Sequence, residues 1–139
     1  MLRYPLLHPP LLSALATAGH GSKVLLADSN YAHRTNVHHR ATLIHLNLRP
    51  GLVSIDDVLE PVLSAIPVEA VHTMRPDDLS TPAAWADYER LLGPDLPLQP
   101  LARHDFYATC RESDLAVCVA TGDGRHYANL LLTVGAVAP

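Results

Sequence analysis

Short apolar runs of strand length alternate along this chain with segments of helical pattern, and glycine or proline stands at most of the joints between them. Pro9-Pro10 opens a helix over Leu11–Ala18 that Gly19 stops, and Lys23–Asp28 is a compact apolar strand ending on an acid. Residues 29–41 are polar and without period, a loop long enough to suggest function. Thr42–Leu48 returns to a strand pattern before the turn Arg49-Pro50-Gly51. Ser54 and Asp57 form a capping box for a helix reaching about Leu63. Ala70–Met74 is a short strand, Thr81-Pro82 starts a helix ended by Gly93, and Leu98–Ala102 is a weaker strand followed by a helix over Asp105–Glu112. Leu115–Ala120 and Ala128–Val134 are the last strands, joined through Thr121-Gly-Asp-Gly124, which has the composition of a turn. Six strand candidates interleaved with four helices predict an α/β domain, with helices covering a mixed sheet.

At 139 residues the chain is one ordinary domain, so residues 1–139 are expected to fold as a single unit. Apolar residues make up 48% and charged residues 17%, which allows a real core and argues against disorder. Ten Lys and Arg against fourteen Asp and Glu leave a net charge of −4, without a basic footprint for nucleic acid. No apolar run near the N-terminus is long enough for a signal peptide or membrane span, so a soluble cytoplasmic protein is expected. Cys110 and Cys118 are too few for a disulfide scaffold and fall where buried, inert thiols belong. The unusual count is nine histidines, nearly as many as all the Lys and Arg together. Such a chain either responds to pH or uses an imidazole for chemistry near neutrality.

His20 stands between Gly19 and Gly21 at a helix-to-strand break, unshielded by bulky neighbours, which suits a general acid or base. The plainer alternative is a helix C-cap. Asp28 ends the following strand, where open α/β sheets place binding groups; it also suits the start of a turn. His33, His38 and His39 invite a metal reading, but the loop contains no His-x-x-x-His pair and no nearby cysteine, so no metal site is assigned. A loop folding over a ligand or a second subunit fits better. Arg103-His104-Asp105-Phe106-Tyr107 puts a cation, an imidazole and two aromatics at a strand-to-helix joint. Tyr127-Ala128-Asn129 opens the last strand with groups that stack, donate and accept. The Gly-rich stretch lacks the Lys-Ser/Thr of a phosphate loop, which argues against nucleotide binding.

Two segments together carry a resemblance. Leu11-Leu12-Ser13-Ala14-Leu15 leading to Gly19-His20-Gly21 and Leu26-Ala27-Asp28, followed near the other end by Thr121-Gly122-Asp123, Tyr127-Ala128-Asn129-Leu130-Leu131-Leu132 and Gly135, resembles the D-ribose pyranase and L-fucose mutarotase family (RbsD/FucU). The resemblance implies a cofactor-free isomerase that interconverts the anomers, and in some members the pyranose and furanose rings, of a free monosaccharide. It implies a homo-oligomer, typically a decameric ring, whose pockets are completed by a neighbouring subunit. It makes His20 the catalytic acid/base and Asp28 a ligand of sugar hydroxyls. Tyr127 and Asn129 then line the pocket, with Tyr127 either a second proton carrier or a stacking platform. Arg103 falls where the fucose-type branch has arginine. The loop after Asp28 departs from the family pattern, which usually continues with a small residue and a nearby proline. That departure leaves as alternatives a non-catalytic sugar-binding or regulatory module and, less favoured, a metal-dependent enzyme built on the loop histidines.

Overall fold

The computed structural model describes residues Met1–Pro139. Its elements follow the expected order: α1 (Pro9–Thr17), β1 (Lys23–Ala27), β2 (Thr42–His45), α2 (Ile55–Ala65), β3 (Val68–Arg75), α3 (Ala84–Leu92), β4 (Leu98–Ala102), α4 (Arg103–Cys110), β5 (Leu115–Ala120) and β6 (Leu130–Val134). The strands form one mixed sheet in the order β2-β5-β1-β6-β3-β4. β1 runs parallel to β5, β5 to β2 and β3 to β4, while β6 is antiparallel to both β1 and β3. Five strands therefore point the same way, and their carboxyl ends lie along one edge together with the start of β6.

Alternation of side chains along each strand sorts the apolar residues onto two faces. Val24 and Leu26 of β1, Val117 and Val119 of β5, and Leu130 and Leu132 of β6 meet α1, α2 and α3 in a core of 21 buried residues. The other face places Leu25, Cys118 and Leu131 under Phe106 and Cys110 of α4 and under Tyr31 of the 29–41 loop. Val24 to Ala27 are fully buried because β1 is covered on both faces, which is why it reads as a continuous apolar run. No helix is long and apolar enough to cross a membrane.

Local chemistry sets the helix starts. Pro9 and Pro10 occupy the first turn of α1, where the His8 Nδ1 accepts the Leu11 N–H at 3.3 Å. In α2, Ser54 Oγ accepts the Asp57 N–H at 3.1 Å and the Asp57 carboxylate accepts the Ser54 N–H at 2.8 Å, the expected capping box. α3 begins at Ala84 rather than at Pro82, because the chain first closes a tighter turn in which the Pro82 carbonyl accepts the Trp85 N–H at 3.2 Å. α4 begins at Arg103, directly on the end of β4 and two residues before the expected start.

β2 and β6 are shorter than expected. β2 stops at His45, since after the Leu46 N–H bonds to Ala120 the chain leaves the sheet for a small hairpin in which Leu48 donates to Leu52. Gly51, at φ 82°, supplies the left-handed residue of that hairpin. β6 starts at Leu130, because the Ala128 carbonyl accepts from the Tyr88 hydroxyl and the Asp28 N–H bonds to the Asn129 side chain in place of a backbone ladder bond. The Thr121–Gly124 segment joins β5 to β6 across the end of β1, which lies between them.

Candidate active site

The carboxyl edge of the sheet gathers the polar side chains. Asp28 follows β1 and Asn129 precedes β6, and the antiparallel pairing of these strands brings the two together. The Asp28 N–H donates to Asn129 Oδ1 at 2.8 Å, and Asn129 Nδ2 donates to Asp28 Oδ2 at 2.9 Å. The Asn30 N–H donates to the other carboxylate oxygen at 3.0 Å. Both side chains are buried, and burial pushes the Asp28 carboxyl above its usual value against the backbone donors that hold it down. The pair is thus a fixed, desolvated acceptor site of the sort that orients hydroxyl groups.

A second network holds the segment between β5 and Asn129. Thr121 Oγ1 donates to the Ala27 carbonyl at 2.8 Å, and the Ser29 N–H donates to the Asp123 carbonyl at 2.9 Å. The Asp123 carboxylate accepts the first N–H of α2, from Ile55, at 3.0 Å. The Arg125 guanidinium reaches Asp123 and Asp56 at 2.6 Å each and Asp87 at 3.1 Å, with its carbon 5.7 Å from the centre of the Tyr88 ring. Burial pushes the Asp123 carboxyl up, but the hydrogen bonds from Arg125 and Ile55 outweigh it and hold the group below its usual value. Tyr88 completes the frame by donating its buried hydroxyl to the Ala128 carbonyl at 2.7 Å. Gly122 is required by close approach: a Cβ there would lie 2.0 Å from the Leu52 carbonyl oxygen.

Above the Asp28–Asn129 pair is a cavity of about 170 Å³. Asp28, Asn30, Arg103, His126 and Asn129 supply its polar wall; Tyr31, Met74, Tyr107 and Tyr127 supply rings and a thioether. Its volume is below the usual range for drug-sized ligands and fits a small polar molecule with an apolar side. Arg103 is steadied by Asp77 at 2.9 Å, and Tyr107 lies one turn further along α4. A second, larger cavity of about 560 Å³, between the 76–83 loop and Arg125, shares His126 and Tyr127 with the first. The smaller cavity holds the buried, hydrogen-bonded Asp28 and Asn129 and is the better candidate site.

The structure thus brings together Asp28, Arg103, Tyr127 and Asn129 of the residues singled out from sequence, and leaves His20 apart. His20 precedes β1, whereas Asp28 follows it. At about 3.3 Å per residue, Lys23 and Asp28 alone are about 17 Å apart. His20 is exposed at the far edge of the sheet, its Nε2 2.9 Å from Glu69. The Gly21 φ of 81° agrees with a glycine needed beside it.

The loop histidines do not line the cavity. His33 Nε2 lies 3.1 Å from the Asp28 carbonyl oxygen, and His38 stacks on His39 at 4.4 Å. No three His, Cys, Asp or Glu side chains come together as a metal-holding group. The loop is pinned to α4, with the His38 N–H donating to Cys110 at 3.0 Å and Arg111 donating to Asn36 Oδ1 at 2.8 Å. Its contribution to the cavity is Asn30 and Tyr31, which sequence reading passed over, as it did Met74 and His126; Tyr107 comes from the Arg103–Tyr107 cluster already singled out. His126 was marked by its neighbour Tyr127, whereas Met74 carried no signal. Cys110 and Cys118 are buried and unpaired, their thiols pushed up to about 11 and about 12 by burial.

Fold and site together define a mixed α/β protein with a small, rigid polar pocket at the carboxyl edge of its sheet. Residues 1–137 match the RbsD / FucU transport protein family, and the chain belongs to that family. It is 34% identical to the fucose mutarotase of Homo sapiens over 96% of this chain and 91% of that protein. It is 29% identical to the D-ribose pyranase of Symbiobacterium thermophilum, over 97% of this chain and 98% of the relative. Among solved structures, the fucose mutarotase of Streptococcus pneumoniae in complex with L-fucose is similar at a TM-score of 0.83 and 27% identity, covering 99% of this chain and all of that one. The fold is shared as well with Bacillus subtilis RbsD complexed with D-ribose, at a TM-score of 0.83, 24% identity and the same coverage. The curated relatives named here are sugar-isomerising enzymes.

Proposed function

We propose that this protein is a cofactor-free monosaccharide mutarotase that opens and recloses the ring of a free sugar, L-fucose or a related sugar, by acid/base catalysis. The observation that carries the reading is the small cavity in which the buried Asp28–Asn129 pair faces rings and Met74. Ring opening requires a proton delivered to the ring oxygen and one removed from the anomeric hydroxyl; the bond between the anomeric carbon and ring oxygen breaks as the carbonyl forms. The aldehyde rotates, and closure on its other face returns both protons. No electrons or groups are transferred, so positioned proton carriers supply the chemistry, typically contributing about 10²–10⁴-fold.

In this mechanism Asp28 accepts from sugar hydroxyls, Asn129 both holds Asp28 and meets the sugar, and Arg103 donates from the same polar lining. Tyr127 faces the bound ring. His20, exposed and far from the Asp28 of its own chain, serves as acid/base in the pocket of a second copy, which makes the active site a shared one in a homo-oligomeric ring. Arg103, the greater identity to a fucose mutarotase than to a ribose pyranase, and Met74 with three tyrosine rings beside a 6-deoxy sugar's methyl group all favour a fucose-like substrate. Exchange NMR on L-fucose, D-ribose and a panel of other free sugars tests the reading. Anomer exchange accelerated by the protein and abolished by His20→Ala is expected. Tight sugar binding with no acceleration would replace it with a binding module.

A further inference from the structure

Of the nine histidines, His126 alone lines the cavity that holds Asp28 and Asn129. The backbone on either side of it is fixed. Arg125 is clamped by three carboxylates, and Tyr127 is held in a left-handed conformation that non-glycine residues adopt only where their surroundings require it. The imidazole is presented from this frame on the rim where the smaller cavity meets the larger one. It has no protein hydrogen-bond partner, whereas the ring of His20 meets Glu69 and that of His33 meets the Asp28 carbonyl. A side chain in that place reaches a bound sugar on one side and water on the other. A group that must take up a proton, return it and re-equilibrate with solvent needs that placement.

The competing candidate for the same task is its neighbour Tyr127. A neutral imidazole carries one N–H donor and one acceptor nitrogen on the same ring, so it can give a proton and take one, the pair of tasks that ring opening and closure set. Tyrosine suits the other task open at that spot, stacking against the apolar side of a sugar ring.

We propose that His126 is a catalytic proton carrier of this site, supplied by the same copy as Asp28 and Asn129, and that it serves one of the two reacting sugar oxygens while His20 of a second copy serves the other. Tyr127 is then the platform. The inference rests on the mutarotase reading above and adds to it a residue from the pocket's own subunit. Proton balance is kept: one carrier gives a proton to the ring oxygen as the other takes one from the anomeric hydroxyl, and closure restores both.

The test compares wild type, His126→Gln and His126→Ala by exchange NMR on L-fucose and D-ribose across pH 5 to 8.5, with ¹⁵N spectra of the histidine rings followed as L-fucose is added. Because His126 is exposed, both variants should fold as wild type does. Expected are a fall in kcat of about 10²-fold with KM changed by less than threefold, loss of one limb of the pH profile, partial rescue of His126→Ala by millimolar imidazole, and a sugar-induced shift of the His126 ring resonances. A variant with unchanged kcat and pH profile in an active protein, a rise in KM alone, or ring resonances indifferent to sugar would overturn the inference and leave the mutarotase reading standing. A wild type that accelerates neither sugar would overturn both.

Discussion

Replacing Arg125 with methionine isolates what holds the site loop in place. Methionine keeps much of the chain length and the packing on Tyr88 but removes the charge shared by Asp56, Asp87 and Asp123. Breaking a buried ion pair on one side costs roughly 3–5 kcal/mol. Only Asp123, 3% exposed, is fully dry, whereas Asp56 and Asp87 are 28% and 39% exposed, so solvent screening reduces the expected loss to about 2–3 kcal/mol. At about 2.1 cal/mol/K of unfolding entropy per residue, a chain of 139 residues then loses about 7–10 °C in Tm. The pH dependence has a definite sign. The Asp123 carboxyl is held below its ordinary value in the folded protein, so its contribution is present above the unfolded value of about 4 and lost as pH falls through the folded one. Without Arg125 the carboxyl rises, and the gap between variant and wild type should be widest at neutral pH and narrow toward pH 3. Thermal or urea unfolding at equal protein concentration reads both effects. A Tm at pH 7 within 2 °C of wild type, or a gap that does not change between pH 7 and pH 3, would refute the reasoning.

Other substitutions separate stability from binding. Asn129→Ala leaves the Asp28 carboxylate without its side-chain donor and the Asp28 N–H without its acceptor; about 2–3 kcal/mol of stability and most sugar affinity should be lost, read by urea unfolding and calorimetry. Gly122→Ala forces a methyl group into the Leu52 carbonyl and should cost more than about 3 kcal/mol, or prevent soluble expression; a variant as stable as wild type would show that the 49–53 hairpin yields freely. Tyr88→Phe removes the donor to the Ala128 carbonyl and should cost about 1–2 kcal/mol while weakening sugar binding several-fold, the second effect distinguishing loop positioning from core packing.

Where composition and short-range pattern carry structure, the sequence was a good guide. The capping box at Ser54–Asp57, the stops at Gly19 and Gly93 and the apolar runs of β1 and β5 all depend on neighbours within a few residues, and the fold class follows from their order. The site was legible in part for the same reason. Asp28 and Asn129 flank apolar strands, and a polar residue at such an edge is visible as a break in pattern. Their mutual hydrogen bonds span 101 positions and depend on β1 pairing with β6, which no local pattern specifies. Tyr31 hid in a loop whose histidines drew attention, although it is the ring, buried against Phe106 and Tyr107, that shapes the cavity. Gly122 resembled a turn glycine and proved to be a packing glycine, because the 49–53 hairpin it touches is far away in sequence. His20 and Asp28 lie at opposite ends of one strand, a separation that follows from strand geometry once β1 is identified.

That separation makes the two-copy site the central claim, and subunit mixing tests it most directly. His20→Ala and Asp28→Asn chains, differently tagged and co-expressed, would be purified as mixed assemblies and assayed by anomer exchange of L-fucose beside the two single variants. If each pocket takes His20 from one copy and Asp28 from another, random mixing leaves about a quarter of the pockets with both residues intact, and roughly a quarter of wild-type activity should return. Activity no higher than the mean of the two variants would contradict a shared site and require both residues to act within one chain.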